Sequence, residues 1–270
     1  MPLSTASVQS QTRVVTVVRY RLAGTALPRL EDTLWVGETA RRCLQGVFGR
    51  LHAGAASPTL SGRAPDGSVM AGHRHCFYLP TDEDGDGKID HLTLSARGRQ
   101  AADGKDEGFQ NDDLAALKAF TAMRNLGSKP DLRLTLEGLG EAGNLQQTLL
   151  VGPARIWRSA TPFVPPRHQK FRGTQRENPP DQLCAELERH GLPAAQAVRP
   201  LSQSSLCGRV LLWTDFQRQR LSGQGSRGQG FAYGFELEFA ETVSGPVALG
   251  FGCHFGLGLF QACCDLSPRR

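Results

Sequence analysis

The stretch GHRHCFYLPTDEDGDGKIDHLTL, residues 72–94, decides the fold because it contains two short strands joined by a turn. Apolar, aromatic and β-branched residues predict the strands near 75–80 and 89–96. The segment TDEDGDGK between them is rich in Asp and Gly, which is typical of a hairpin turn. The stretch therefore predicts an antiparallel strand pair in the first half of the chain.

The elements on either side of this hairpin complete a known pattern. Upstream, RVVTVVRYR at 13–21 predicts a strand, and apolar residues at three- and four-residue steps predict a helix from about Thr33. Downstream, a second helix is expected after Asn111, and alternating leucines predict a strand at 132–137. The order βαββαβ is that of a ferredoxin-like unit, an antiparallel sheet with both helices on one face.

The second half repeats this plan imperfectly. We expect a strand around 156–164, a helix from Pro180 to His190 that Gly191 ends, and a hairpin of strands at 210–216 and 231–239. In place of a second helix the chain offers only a short turn that begins at Pro246.

The predicted fold class is therefore α+β, with two tandem ferredoxin-like folds of which the second is imperfect. The expected organisation is a flexible segment at 1–12, an N-terminal domain at 13–151 and a C-terminal domain at 152–270 that contains a glycine-rich loop.

The composition of the 270 residues excludes several classes of protein. With 39% hydrophobic and 21% charged residues the chain is neither disordered, nor collagen, nor a coiled coil. No apolar run approaches the ~20 residues that span a bilayer, and the N-terminal residues lack the features of a secretory signal. Seven cysteines without a CxxC pair favour reduced thiols. A cytoplasmic protein without a membrane partner is expected.

Positive charge is concentrated in the second half. Residues 1–154 contain 17 Lys and Arg against 17 Asp and Glu, whereas residues 155–227 contain 12 against 5. Such an excess suits the neutralisation of nucleic-acid phosphates, although a solvated basic surface has the same composition. Arginine forks suit phosphates, and the interleaved aromatic residues Trp157 and Phe171 suit unstacked bases. The candidate RNA-binding residues of this region are Arg155, Arg158, Arg167, His168, Lys170 and Arg172.

Two histidines lie at the entry to the first hairpin strand. Because side chains alternate along a strand, His73, His75 and Phe77 share one face, and Arg74 lies on the other. Histidine exchanges protons near neutral pH, so a pair of them after a long loop is a candidate for acid–base chemistry. A structural or merely exposed role is the usual one for an isolated histidine.

The acidic turn resembles a calcium loop. The residues from Asp82 to Asp90 match the first nine positions of the loop pattern, but Thr93 occupies the twelfth, where a bidentate glutamate belongs. The predicted flanks are strands, whereas an EF-hand requires helices. A weak calcium site formed by Asp82, Asp84 and Asp86, in a calcium-binding protein, is therefore an alternative to a polar hairpin turn.

The segment GPVALGFGCHFGLGLF, residues 245–260, carries repeated glycines within an apolar run. It fits neither a phosphate-binding P-loop nor a dinucleotide fingerprint. From these residues alone, a strand kinked at its glycines is at least as good an interpretation as a loop that a phosphate approaches.

Three blocks together carry a family resemblance: the hairpin stretch at 72–94, the run SATPFVPPRH, and the terminal GFGCHFGLGLF. In this order they resemble the CRISPR repeat-RNA-processing endoribonuclease of type I-G (also called I-U) systems, in the RAMP superfamily. The likeness extends from about residue 14 to 260. In that family this portion is commonly fused behind another RAMP module, and this sequence is expected to correspond to the RNA-processing portion.

The resemblance implies metal-independent cleavage of repeat RNA, without a cofactor, in which a 2′-OH attacks the adjacent phosphate. The products would be a 2′,3′-cyclic phosphate and a 5′-OH end. His73 is the expected proton-transferring residue, with His75 as the alternative and Arg74 as the phosphate partner; His91 is a third choice. The glycine-rich loop would contact RNA through Gly250, Gly252, His254, Gly256 and Gly258.

The implied partners are CRISPR repeat or guide RNA and other subunits of a type I-G effector complex. A non-catalytic guide-RNA-binding RAMP subunit of such a complex is the alternative, because the same sequence supports it if the histidines only pack.

Overall fold

Two five-stranded antiparallel sheets form the framework of the computed structural model. The structure describes residues 14–70, 72–73, 75–96, 108–124, 126, 129–145, 148–167, 171–172, 175–176, 178–206, 209–220 and 231–263. The predicted flexible segment at 1–12 and the side chain of Arg74 lie outside these residues. Within the described part of the chain, no helix combines the length and apolarity needed to cross a membrane.

The first half is the predicted ferredoxin-like unit with two additions. Its helices are α1 (Thr33–Leu51), α2 (Pro58–Ser61) and α3 (Asn111–Ala119), and its strands are β1 (Val17–Ala23), β2 (Phe77–Thr81), β3 (His91–Ser95), β4 (Ala122–Met123) and β5 (Leu132–Gly140). The strand order is β2-β3-β1-β5-β4, with every pair antiparallel. Without the outer strand β4 and the single turn α2, this is the βαββαβ arrangement, so that prediction is confirmed.

Helix α1 contacts the sheet through one face. Val36, Ala40, Leu44 and Phe48 are buried, whereas Leu51 is 51% exposed. These buried positions recur at the four-residue spacing of one helix face. This face therefore lies against the sheet along the helix, and the last helical residue, Leu51, is exposed to solvent.

The second half has the same strand order with one helix replaced. It contains α4 (Pro179–Arg189) and the strands β6 (Ala154–Ser159), β7 (Phe171–Arg172), β8 (Gln175–Arg176), β9 (Ala195–Leu201), β10 (Ser204–Leu206), β11 (Arg209–Leu211), β12 (Gly234–Val243), β13 (Val247–Ala248) and β14 (Leu259–Ala262). The sheet order is β13-β14-β6-β12-β9. A turn of 3-10 helix at Cys253–Phe255 and the short strand β13 stand where a second helix would be. The imperfect repeat is therefore confirmed.

The predicted pairing of 210–216 with 231–239 is wrong. Strand β12 lies between β6 and β9. Residues 209–211 pair with β10. Trp213 begins a short 3-10 turn, and its indole N–H donates to Leu201 O at 2.7 Å. Strand β9 escaped prediction because it is a mostly exposed edge strand that contains Pro200, so its sequence lacks clear alternation.

The two halves share apolar packing through the glycine-rich segment. Phe255 and Leu257 belong to the same buried cluster as residues of α1 and β1, and Cys253 packs with Phe77 of β2. A Cβ on Gly37 of α1 would lie 2.7 Å from Phe255 O, so only glycine allows this close approach. Residues 250–258 are therefore held against α1 and β2. The predicted domain boundary at 151/152 stays a prediction.

Candidate functional site

Four histidines meet between the two halves. His73 and His75 precede β2, His190 directly follows α4, and His254 lies in the 3-10 turn at Cys253–Phe255. The rings of His75 and His254 stack with centroids 3.7 Å apart, and those of His73 and His190 stack at 3.8 Å. His73 Nδ1 is 3.0 Å from His254 Nε2, which links the two stacks. We call these four residues the histidine cluster.

Local structure explains how the chain places these rings. Helix α4 ends at Arg189 with His190 as its C-cap, and the next residue, Gly191, adopts φ +65°, a left-handed conformation that favours glycine. His254 is flanked by Gly252 and Gly256, both with positive φ, which allow the tight turn. On its other face the His254 ring stacks on Phe77 with centroids 3.9 Å apart. The cluster is thus a contact between a helix end, a turn and a strand entry.

The hydrogen bonds define which ring nitrogens carry protons. His254 Nδ1 lies 3.3 Å from Cys76 O, and a carbonyl oxygen only accepts, so Nδ1 is the donor. In neutral His254 the Nε2 atom is then the acceptor, and His73 Nδ1 donates to it. The basic nitrogen of a neutral His73 is consequently Nε2. Both nitrogens of His254 are engaged in these hydrogen bonds, so His73 is the ring of this pair with a basic nitrogen suited to a ligand.

Burial and mutual repulsion keep two of the rings neutral. Burial lowers the pKa of His75 to about 4, with help from the positive charges of Arg41 and His73. Burial and the neighbouring His75 and His73 likewise hold the pKa of His254 well below its usual range. Neutral imidazoles accept protons and donate hydrogen bonds, which is the state a general base requires.

We expect these neutral rings to make stability depend on pH. The unfolded chain protonates His75 near pH 6.5, whereas the folded chain does so near 4. Between these values the unfolded state binds more protons, so the free energy of unfolding falls as pH decreases. Replacing His75 by Phe removes this titration and should reduce the loss between pH 7.5 and 4.5 by about 2 kcal/mol.

Urea unfolding at the two pH values measures this effect. The groups that face His75 are Arg41, His73 and His254. His75 also lowers the pKa of His254, so the difference between the wild type and H75F reports the His75 ring together with its effect on His254. Equal losses of stability in the two proteins would show that His75 does not titrate abnormally.

His91 lies apart from the histidine cluster. The hairpin register pairs Tyr78 with Leu94 and His91 with Thr81. His91 Nδ1 is 2.9 Å from Asp90 Oδ1, and its Nε2 is 3.3 Å from Glu137. These carboxylates account for its position. Sequence reasoning missed His190, the fourth member of the cluster, because in the sequence that residue is recognisable only as the end of a helix.

The predicted arginines of β6 are engaged within their sheet. Arg158 Nε lies 2.6 Å from Glu236 on β12, and Arg155 Nε donates to Phe239 O at 3.2 Å. The backbone N–H of Arg167 donates to Gln182 Oε1 at 3.4 Å. His168 and Lys170 lie outside the described residues, as does the side chain of Arg172. Contact of this surface with RNA stays a prediction.

Packing accounts for the four predicted glycines of the terminal segment. Gly250, Gly252, Gly256 and Gly258 all have positive φ. A Cβ on Gly256 would lie 2.4 Å from Thr33 Oγ1, and one on Gly258 would lie 1.9 Å from Leu249 O. These glycines therefore face protein atoms, and their predicted contact with RNA stays a prediction.

The acidic segment forms a hydrogen-bonded hairpin turn. Asp82 accepts the backbone N–H groups of Gly85 and Gly87 at 2.7 and 2.8 Å, and Asp86 pairs with Lys88. The flanking elements are strands, as predicted. Carboxylate oxygens of Asp82, Asp84 and Asp86 lie within 4.8 Å of one another. The turn conformation explains these residues without an ion, and calcium binding stays a prediction.

The histidine cluster also contains a possible set of metal ligands. Ligand atoms of His73, His190 and Cys253 lie within 4.8 Å of one another. Imidazole and thiolate suit zinc and related transition metals. Burial, however, raises the pKa of the Cys253 thiol, which favours its protonated and non-ligating form.

Comparisons with known proteins give distant likenesses. No protein-family model and no curated protein matches the chain. A solved Cas6 product complex is 16% identical, with 92% of this chain and 99% of that chain covered and a TM-score of 0.45. A Cas6-related protein from Pyrococcus furiosus is 13% identical, with 93% and 99% covered and a TM-score of 0.43.

A further solved structure is Csf5, a type IV CRISPR-Cas Cas6 crRNA endonuclease. It is 11% identical, with 93% of this chain and 99% of that chain covered and a TM-score of 0.41. At such low identities and scores, these likenesses say nothing about what the present chain binds or cleaves.

Proposed function

We propose that this chain is an endoribonuclease that cleaves the repeat of a CRISPR precursor transcript. The observation that carries the proposal is the hydrogen bond from His73 Nδ1 to the neutral His254, which leaves His73 Nε2 as its basic nitrogen. Two ferredoxin-like folds flank this ring, and the resemblance of three sequence blocks supplies the substrate class. Assignment to type I-G systems, with other effector subunits as partners, is part of the same proposal.

The proposed reaction begins at His73. Its Nε2 takes the proton of a ribose 2′-OH, and the resulting oxygen attacks the adjacent phosphorus. The bond from phosphorus to the 5′-oxygen breaks, and that oxygen takes a proton from water. The products are a 2′,3′-cyclic phosphate and a 5′-OH, and the His73 imidazolium then returns its proton to solvent.

His254 acts as a positioning residue in this scheme. Its Nε2 accepts a hydrogen bond from His73 Nδ1, and its own Nδ1 donates one to Cys76 O, so His73 is held in the tautomer with a basic Nε2. Fixing a tautomer by a hydrogen bond at the opposite nitrogen is a general way to orient a histidine base.

The decisive experiment incubates labelled cognate repeat RNA with the protein and excess EDTA. We expect cleavage to a product that ends in a cyclic phosphate, resolved on a denaturing gel. The matched control is the same RNA with a 2′-deoxy nucleotide at the cleavage position, which should stay intact because it lacks the attacking hydroxyl.

Each other outcome argues against part of the proposal. Uncut RNA with wild-type protein would reject the enzyme, and tight binding without cutting would support the non-catalytic RNA-holding alternative. Cleavage that EDTA abolishes and zinc restores would show a metal-dependent reaction, with His73, His190 and Cys253 as its candidate ligands.

A further inference from the structure

Two guanidinium groups lie over one aromatic ring beside the histidine cluster. Arg41 of α1 lies 6.0 Å from the centroid of Phe255, and Arg220 lies 5.0 Å from it. Arg63 is close enough to contribute to lowering the pKa of Arg41, as is Arg220, although burial is the main cause. Positive charge is therefore gathered at one point despite its mutual repulsion.

This group of arginines is continuous with the histidine cluster. Arg41 donates to the backbone oxygen of Ser61. The neighbouring Gly62 packs directly on His75, since a Cβ there would lie 2.8 Å from the imidazole Cδ2. Phe255 follows His254, whose ring stacks on His75. In two segments of the chain, adjacent residues therefore contact the arginines and the histidine cluster: Ser61 and Gly62 in one segment, and Phe255 and His254 in the other.

Most donors of the two guanidinium groups remain for a ligand. Each guanidinium has five N–H groups. Within the described residues, Arg41 uses Nη2 on Ser61 O, and Arg220 uses Nε on Glu38 at 2.6 Å. Among the described residues of this group, the carboxylate of Glu38 faces three arginines, Arg41, Arg63 and Arg220. The group therefore has an excess of positive charge and forks suited to an oxyanion.

We propose that Arg41 and Arg220 bind a phosphodiester group of RNA and thereby place a ribose 2′-OH beside His73. This inference deepens the proposed function and rests on it for the identity of the ligand. It assigns the cationic role to side chains from α1 and from the 209–220 segment, where the sequence had indicated Arg74. Neither residue takes part in proton transfer, so both are positioning residues.

The test measures the binding of repeat RNA that carries a 2′-deoxy nucleotide at the cleavage position. We expect R41Q and R220Q each to weaken binding about tenfold, as expected for a lost charge-assisted hydrogen bond. Each should also reduce the slope of log K against log salt by about 0.7, the value for one contact to a single-stranded phosphate. R42Q is the matched control, because Arg42 is the exposed next residue of α1.

A second pair of variants separates binding from folding. R41K and R220K keep the charge, so they should retain the wild-type salt slope, whereas loss of a structural contact would affect Lys and Gln variants alike. Wild-type affinity and slope in both Gln variants would overturn the inference. Because this RNA cannot be cut, a protein that binds but never cleaves would reject the proposed catalysis and still allow the phosphate site to be judged.

Discussion

Replacing His73 with alanine is expected to lower the rate of repeat cleavage by about 10²- to 10⁴-fold, the usual contribution of a general base. Binding of the 2′-deoxy RNA should change little, since His73 acts on a hydroxyl that this RNA lacks. A single-turnover rate on labelled RNA, measured with protein in excess, separates the chemical step from binding and product release.

The control for this variant is His91→Ala. His91 is a histidine of the same sheet, but its partners are Asp90 and Glu137, away from the histidine cluster. It should therefore cleave at the wild-type rate. Undiminished cleavage by H73A would remove His73 from the mechanism, and a loss confined to His75→Ala would transfer the role of the base to His75.

The second large effect is expected from Gly258→Ala. Gly258 has φ +60°, and a Cβ there would lie 1.9 Å from the backbone oxygen of Leu249. Because backbone cannot rotate aside as a side chain can, the β13 to β14 connection must shift. We expect the free energy of unfolding to fall by more than about 4 kcal/mol, the range of severe single substitutions.

Gly191→Ala is the matched control for this prediction. Gly191 also has a left-handed backbone, φ +65°, but among the described residues, its chain neighbours aside, no atom lies within 4 Å of a Cβ placed there. This substitution should lower the free energy of unfolding by only about 1–2 kcal/mol, the cost of a side chain in a left-handed backbone conformation. Urea unfolding of both variants measures the difference. Equal losses would mean that the close approach at Gly258 is relieved by small movements of the chain.

Much of the fold could be predicted because its signals are local. The β-branched run of β1, the capped helix α4 and the Asp-Gly turn each depend on neighbours within a few residues, and all three are confirmed. Strand β9 has no such signal, because an exposed edge strand needs little apolar alternation. Without that strand, sequence reasoning pairs β12 with residues 210–216, whereas in the structure β12 pairs with β9.

Sequence reasoning identified only part of the candidate site. Histidine chemistry was indicated at His73 and His75, but the hairpin register and the ring partners were not. RNA contact by His254 stays a prediction, and its hydrogen bond to His73 across 181 positions of the chain has no signal in the sequence. In the sequence, Arg41 of α1 cannot be distinguished from a solvent-facing residue of an amphipathic helix, although its guanidinium lies over Phe255.

Periodicity, capping and turn chemistry determined most of the order of elements in the first half and indicated the imperfect two-fold plan, since these act over a few neighbouring residues. Tertiary structure alone decided which imidazoles meet, which of them stay neutral, and where positive charge is gathered. The reason is physical: desolvation and Coulomb interactions depend on distances in space, and the residues that share the histidine cluster come from segments that only folding of the two sheets brings together.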